Sequence, residues 1–162
     1  DAAPAVWDAL TSGGAGATPA GLGARDTLRL EVGYPLYGRE LSRERTPIEA
    51  GLAWACDLAG GGFAGAEVMR RQRRAGTLER LAMIELTEPG IPRAGCAALA
   101  EGRPVGAVTS GTLSPVLERG IGMAYVASEL AAPGTELEID VRGRPKAART
   151  ARRPLIPTST RS

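Results

Sequence analysis

The chain has 162 residues, 43% of them hydrophobic, and a formal net charge of +2 at pH 7. This balance is typical of folded globular proteins, excludes the disordered and fibrous classes, and gives a chain long enough to bury a sizeable core. No apolar run approaches the ~18 residues that a membrane span needs. Because the sequence contains no histidine, a serine–histidine–aspartate triad is excluded within these residues.

The two cysteines, Cys56 and Cys96, lie far apart and form no CxxC unit. Without histidine, this spacing predicts neither a zinc site nor a Cys–His nucleophile. It fits two inert core thiols in a reduced, cytoplasmic compartment. We therefore expect no metal, and acid–base chemistry would depend on carboxylates, tyrosine, water held by arginine or the substrate itself.

Helical patterns separated by glycine-rich loops predominate at the start of the chain. Residues 3–10 have the spacing of the end of an amphipathic helix, and a Gly/Ala/Pro loop follows. Residues 24–32 place apolar side chains at i, i+4 and i+8, and Gly33 follows as a stop. This predicts a helix with Leu28 on its apolar stripe and Arg29 on a different face.

Two further helices are predicted before the pattern changes. Residues 46–49, Thr-Pro-Ile-Glu, have the sequence of a capping box and predict a short helix that ends near Gly51. Residues 66–75 predict another helix, with Val68 and Met69 facing inward and its arginines facing water.

After Gly76 the segments become short, with Gly or Pro every eight to twelve residues, which is an all-β pattern. The predicted strands are residues 78–86, 97–99, 104–110, 122–126, 136–141 and 147–151. The fold class predicted for the whole chain is therefore α+β. Residues 1–76 form the end of an α+β core, residues 77–157 form a small all-β barrel, and residues 158–162 form a tail.

Eight stretches, in their order and spacing, carry a resemblance to a known family. They are GLGARDTLRLE (21–31), YPLYGREL (34–41), TPIEAGLAW (46–54), FAGAEVM (63–69), GIPRAGC (90–96), VGAVTSGTLSPVL (105–117), MAYV (123–126) and PGTELEIDVRG (133–143). Together they resemble the C-terminal part of the glycine cleavage system T protein, the aminomethyltransferase. The resemblance covers residues 19–157 and implies a folate-binding core followed by a C-terminal β-barrel.

The resemblance implies a tetrahydrofolate-dependent one-carbon transferase. Such an enzyme receives the lipoyl carrier protein (H protein) loaded with an aminomethyl group, moves the methylene carbon to tetrahydrofolate and releases ammonia. The chain opens at Asp1 inside an apparent helix, so we expect it to be the C-terminal part of a longer bacterial enzyme. The family's catalytic carboxylate belongs to the N-terminal part, so no residue here is assigned a catalytic role. The chain alone is therefore expected not to catalyse the transfer.

Four residues match folate-binding positions of the family: Arg25, Tyr34, Trp54 and Arg161. The Arg25 guanidinium offers a fork of donors for ligand oxygens, although an ion pair within the chain is the alternative. The ring of Tyr34 can stack on a pterin or aminobenzoyl plane, or can simply be half-buried. Trp54 can be either a folate contact or a residue of the hydrophobic core. Arg161 can either face the folate or lie in a solvated tail.

Three other functions remain open. The first is the tetrahydrofolate-binding tail of a flavin-dependent dimethylglycine- or sarcosine-type dehydrogenase. The dipeptide Tyr37-Gly38 argues against it, since those tails usually have Trp-Gly at this position. The second is a folate-fold protein of iron–sulfur assembly, whose Lys-Gly-Cys-Tyr-like loop has no counterpart at residues 31–34. The third is nucleic-acid binding through the basic run at residues 142–153. That run has no aromatic partners, so a solvated barrel edge explains it better.

Overall fold

The computed structural model describes residues 2–12, 17–60 and 62–157. Within these ranges three α-helices precede six β-strands, which confirms the predicted α+β class. The helices are α1 (Ala3–Ser12), α2 (Leu22–Val32) and α3 (Ala66–Ala75), with 3₁₀ turns at Ala53–Ala55 and Ser128–Leu130. The strands are β1 (Glu79–Leu86), β2 (Ala97–Ala100), β3 (Arg103–Ser114), β4 (Arg119–Ala127), β5 (Glu136–Asp140) and β6 (Pro145–Ala151).

The strands close into an antiparallel barrel in the order β1-β4-β3-β2-β5-β6. Hairpins join β2 to β3, β3 to β4 and β5 to β6, whereas β1 pairs with β4 and β6, and β2 with β5, across long stretches of sequence. Closure removes free sheet edges. The interior is filled by small and branched apolar side chains: Ala82, Ile84, Leu86, Ala98, Val108, Ala124, Val126, Leu137, Ile139 and Ala148.

Strands β1 and β4 are buried on both faces. Because successive side chains of a strand point to opposite faces, Ile84 belongs to the barrel interior while Met83 belongs to a second, outer cluster. That outer cluster is completed by Leu30 of α2 and by Leu81, Ile121, Met123 and Tyr125. Helix α2 therefore packs on the outside of the barrel, against β3 and β4.

Helix α2 forms where the apolar spacing predicts it, but its buried face was predicted wrongly. Leu28 is 63% exposed, whereas Arg29 and Leu30 are buried. The pattern placed arginine outside because this residue is seldom buried unless it is paired, and its partners come from other segments. Gly33 ends the helix in the left-handed conformation with φ +76°, as predicted.

Residues 46–51 form hydrogen-bonded turns instead of the predicted short helix. The capping box itself is present, because the backbone N–H of Thr46 donates to the Glu49 carboxylate (2.7 Å) and the N–H of Glu49 donates to the Thr46 hydroxyl (3.3 Å). The turn closes at once through left-handed Gly51, with φ +71°, which stops further helical growth.

The remaining elements follow the predictions with small differences. All six predicted strands are present, and β2, β3, β4 and β6 extend beyond their predicted bounds. In α3 Met69 is buried as expected, but Val68 is 41% exposed. None of the helices in the described ranges has the length and apolar character that crossing a bilayer requires.

Candidate functional site

A concave pocket of about 240 Å³ lies where the end of α2, the loop leading to the first 3₁₀ turn and the residues after β6 meet. Two of the four residues predicted to bind folate, Tyr34 and Trp54, line it together. The complete lining consists of Val32, Gly33, Tyr34, Pro35, Gly51, Leu52, Trp54, Arg153 and Pro154.

Tyr34 directly follows the glycine that ends α2, and its backbone is fixed on both sides. Its N–H donates to the Arg29 carbonyl (2.8 Å), and its own carbonyl accepts from Nη1 of Arg29 (3.3 Å). The side chain is nevertheless 60% exposed. A rigid backbone with an exposed ring suits stacking against a planar ligand.

A buried ion pair holds the segment that carries Tyr34. Nη1 of Arg29 lies 3.1 Å from Oε2 of Glu40, and the side chains are only 8% and 0% exposed. The guanidinium also donates to Asp26 through Nε (2.6 Å) and to the Ser110 hydroxyl through Nη2 (2.9 Å). Every guanidinium nitrogen therefore has an acceptor, which is the condition under which a buried arginine is tolerated.

Glu40 ties the same segment to the barrel. Its Oε2 accepts from the backbone N–H of Leu36 (2.9 Å), and its Oε1 accepts from the Thr109 hydroxyl (2.8 Å). Its backbone carbonyl accepts from the Tyr125 hydroxyl (2.9 Å). Burial raises the pKa of Tyr125 to about 12, so this hydroxyl keeps its proton and remains a donor at neutral pH.

Trp54 enters the pocket from the 3₁₀ turn after the capping-box segment. The side chain is 83% exposed, so Trp54 is not a core residue of the described chain. The segment before it is fixed to two other elements, because the Thr46 hydroxyl donates to Gln72 Oε1 on α3 (2.6 Å) and the Leu81 N–H donates to the Glu49 carbonyl (2.9 Å). The large exposed ring therefore stands on an anchored backbone.

Arg153 closes the pocket from the C-terminal side. Both Nη1 and Nη2 donate to the Ala50 carbonyl at 3.3 Å, and Nη2 also donates to the Leu81 carbonyl at 3.2 Å. Its stem crosses the end of α2, where a Cβ on Gly33 would lie 2.8 Å from Cγ of Arg153. Burial lowers the pKa of this guanidinium, while the charge of Glu40 opposes that shift.

Sequence reasoning missed Arg153, which it placed within a solvated basic run. That interpretation is wrong for this residue, because its guanidinium donates hydrogen bonds to the backbone carbonyls of Ala50 and Leu81. The available signal was its place just before Pro154-Leu155, where an apolar stretch follows the run. A charge pattern alone does not reveal which arginine turns inward.

The other two predicted residues do not join Tyr34 and Trp54 in the pocket. Arg25 is exposed on α2, and the two carboxylates of that helix, Asp26 and Glu31, are engaged by other residues. Asp26 accepts from Arg29, and Glu31 accepts from the Ser114 hydroxyl (2.5 Å). Arg161 lies outside the described residues.

The fold and the pocket define an α+β protein whose helical part forms an aromatic-lined pocket beside a C-terminal barrel. Two family models match consecutive parts of the chain. The GCVT N-terminal domain matches residues 1–60, and the glycine cleavage T-protein C-terminal barrel domain matches residues 79–156. The chain belongs to the glycine cleavage T-protein family.

Relatives and a solved structure agree with this assignment. The aminomethyltransferase of Bacteroides fragilis is 48% identical over 148 residues, covering 89% of this chain and 41% of the relative. That of Geobacillus kaustophilus is 47% identical over 145 residues, covering 88% of this chain and 40% of the relative. The crystal structure of glycine cleavage system aminomethyltransferase T from Bartonella henselae superposes with a TM-score of 0.85 at 29% identity, covering 96% of this chain and 44% of that one. The chain thus spans about two fifths of the length of these curated relatives.

Proposed function

We propose that these residues supply folate-binding and barrel parts of a tetrahydrofolate-dependent aminomethyltransferase of the glycine cleavage system. The enzyme takes the methylene carbon of the aminomethyl group carried by the lipoyl group of the H protein. It bonds that carbon to tetrahydrofolate and releases ammonia. The observation that supports this most directly is the presence of two exposed aromatic side chains, Tyr34 and Trp54, on one pocket of a chain of this family.

The pocket suits a flat ligand with polar edges. An aromatic ring packed against the pterin or aminobenzoyl plane contributes about 0.5–1.5 kcal/mol beyond area burial. Gly33 and Gly51 carry no side chain into this space. We assign Arg25 to ligand oxygens approaching the exposed side of α2, and Arg161 to a contact made by the tail. The transfer step itself is assigned to a carboxylate of the family's N-terminal part, so the residues here bind and orient.

Folate binding is tested by the fluorescence of Trp54. The chain has two tryptophans, so Trp7→Phe leaves Trp54 as the reporter. Titration with folinate, an oxidation-resistant formyl derivative of tetrahydrofolate, is expected to quench it saturably after inner-filter correction. The matched control, Trp54→Phe with Trp7 retained, is expected to show no saturable change. Equal responses of both variants, or no response of either, would contradict the proposed site.

Transfer is tested in a chimaera, in which residues 1–162 replace the matching part of the Bacteroides fragilis aminomethyltransferase. With aminomethyl-loaded H protein and tetrahydrofolate, the chimaera is expected to release ammonia, whereas the chain alone is not. Arg25→Ala in the chimaera is expected to weaken folate binding by roughly 1–3 kcal/mol, the loss for hydrogen bonds to a charged group. A folded chimaera that releases no ammonia would overturn the proposed function, and an unchanged folate Kd would make Arg25 structural.

A further inference from the structure

Another concavity, of about 880 Å³, lies on the barrel and shares no lining residue with the aromatic pocket. We call it the β5 cleft, because residues 99–101 at the end of β2 and residues 136–138 of β5 line it together. Part of its lining is continuous with the barrel interior, since Leu137 belongs to the interior cluster and Val105 and Leu130 pack against that cluster. Its volume is within the range of ligand sites.

The cleft lies where two strands of the barrel separate. Strands β2 and β5 are in register only at Ala98–Ile139 and Leu99–Glu138, whereas β5 and β6 are in register along the whole of β5. Strand β2 ends one residue later and turns back into β3. Glu136, the first residue of β5, therefore has β6 on one side and no residue of β2 on the other.

The backbone of Glu136 is directed into the cleft. The β5–β6 hairpin is closed by two hydrogen bonds between Val141 and Arg144, and bonded pairs alternate with non-bonded pairs along an antiparallel ladder. In this register Leu137 bonds to β6, so the N–H and C=O of Glu136 point away from β6. Within the described part of the chain, no hydrogen bond joins them to β2 or to the turn that follows it. An unpaired N–H and C=O on a strand is the group to which a further strand bonds.

The side chains of β5 alternate beside these free backbone groups. Glu136 and Glu138 point outward, and Leu137 between them points into the barrel interior. A strand that pairs with the start of β5 places its own alternate side chains next to these three. The matching pattern is basic side chains on the outer face and an apolar side chain over Leu137.

The charges of the lining favour the same ligand. Glu101, Glu136 and Glu138 all line the cleft, and none of the three makes an ion pair among the described residues. Of the two arginines in the lining, Arg149 is already paired with a carboxylate of β1. Arg103 is the other, so the free carboxylates outnumber the free guanidinium and the cleft attracts positive charge.

We propose that the β5 cleft binds a short extended segment of a partner polypeptide in which basic and apolar residues alternate. The segment adds to the start of β5 as a strand and exchanges hydrogen bonds with the N–H and C=O of Glu136. Its basic side chains lie beside Glu136 and Glu138, and its apolar side chain covers Leu137. A small organic cation satisfies the carboxylates and leaves the backbone pair unbonded, so the backbone favours a peptide. The site is independent of the folate pocket.

The test measures the fluorescence anisotropy of a capped, rhodamine-labelled Lys-Val-Lys-Val-Lys peptide titrated with the full chain. Saturable binding is expected below ~1 mM, and it weakens as salt screens the charges. The same peptide with Glu in place of Lys is expected not to bind. A form with N-methylated internal amides keeps its charges but cannot donate from its backbone. It is expected to bind about three- to tenfold more weakly, as for a lost hydrogen bond.

Two variants of the chain test the same contacts from the protein side. Glu136→Gln/Glu138→Gln is expected to weaken the Lys peptide about three- to tenfold, the effect of two solvent-exposed charge pairs. The matched control, Glu44→Gln/Glu118→Gln, removes equal charge from two exposed turns and is expected to bind as the parent does. Glu136→Pro removes the free N–H, which proline tolerates at an unpaired edge, and is expected to weaken binding while the thermal melt stays unchanged.

Each contrary result overturns the proposal in a distinct way. No saturable binding of the Lys peptide removes the site, and equal losses in the two double variants reduce it to net charge. Equal affinity of the N-methylated and unmodified peptides excludes strand addition and leaves a cation site. This comparison leaves the protein unchanged, so it decides the matter even if Glu136→Pro fails to fold. Self-association of the chain in sedimentation, abolished by Glu136→Pro, would assign the free edge to a second copy.

Discussion

At the scale of single residues, the Arg29–Glu40 pair is where a small change has the largest expected effect. Glu40→Gln removes the negative charge from a fully buried position while Arg29 stays charged at 8% exposure. Losing one partner of a buried pair costs about 3–5 kcal/mol, and the contact of Arg29 with Asp26 (2.6 Å) places the expected loss near the lower end. Urea unfolding of the chain measures it.

The control for this variant is Glu129→Gln, which removes the same charge from an exposed 3₁₀ turn. It is expected to stay within about 0.5 kcal/mol of the parent. If Glu40→Gln lost no more than Glu129→Gln, the buried pair would contribute nothing to the stability of the segment that carries Tyr34.

Arg153 offers a second test, in which charge is kept and geometry is changed. Arg153→Lys retains the cation but loses the planar fork that reaches the carbonyls of Ala50 and Leu81 together. We expect a loss of about 1–3 kcal/mol in the free energy of unfolding. Arg152→Lys, one residue earlier and exposed, is expected to leave stability unchanged. Equal effects of the two substitutions would show that the fork geometry is unimportant.

These residues also mark how far a site can be predicted from sequence. Tyr34 and Trp54 could be selected because the motifs around them resemble those of a family, and the structure places both on one pocket. Arg29 and Arg153 could not, since whether an arginine turns inward depends on acceptors from distant segments. The partners of Arg29 include Ser110, 81 residues away, and those of Arg153 include Ala50, 103 residues away. Local patterns contain no information about such pairs.

At the scale of elements, the capping-box segment is the support on which Trp54 stands. Thr46 caps the turn by accepting from the Glu49 N–H (3.3 Å) and reaches α3 by donating to Gln72 (2.6 Å). Thr46→Ala removes both contacts and is expected to cost about 1 kcal/mol, a usual value for a lost cap. Thermal unfolding measures the loss.

The matched control at this position is Thr46→Ser, which keeps the hydroxyl and removes only a methyl group. Serine caps at least as well as threonine, so most of the stability lost in Thr46→Ala is expected to return. If serine were as destabilising as alanine, packing of the methyl group would be the cause, and the two hydrogen bonds would have little weight.

Elements themselves were predictable to the extent that their signals are local. The β5–β6 hairpin follows from its turn, where Arg142 (φ +58°) and Gly143 (φ +77°) both take the left-handed conformation that two-residue hairpins favour. The short helix at residues 46–51 was a wrong prediction, because a capping box specifies how a helix begins and not how far it continues. Strand pairings such as β2 with β5 depend on the closed barrel, which no single segment encodes.

At the scale of the whole molecule, one carboxylate ties three strands of the barrel together. Glu85 of β1 accepts from Arg119 of β4 (2.7 Å) and from Arg149 of β6 (2.9 Å). Burial alone would raise the pKa of Glu85, but the hydrogen bonds and charges of these two arginines outweigh it and hold the pKa below its ordinary value of 4.5. Folding is therefore linked to the ionised form of Glu85.

The sign of the resulting pH dependence follows from that direction. A carboxyl whose pKa is lower in the folded state stabilises the fold fully above its unfolded pKa, and this contribution is lost as pH falls through the folded pKa. Glu85→Gln is therefore expected to be less stable than the parent near pH 7, with a difference that shrinks once the pH falls below 4.5. Urea unfolding of both proteins between about pH 7 and pH 3 measures it.

Glu129→Gln again serves as the comparison, because it removes an exposed carboxylate without touching the barrel seam. Its stability is expected to run parallel to that of the parent across the same pH range. A constant difference between Glu85→Gln and the parent at every pH would mean that Glu85 stabilises the barrel by packing and not by its charge. A difference that closes in acid would instead assign part of the acid sensitivity of the barrel to this one carboxylate, which joins β1 to its neighbours on both sides.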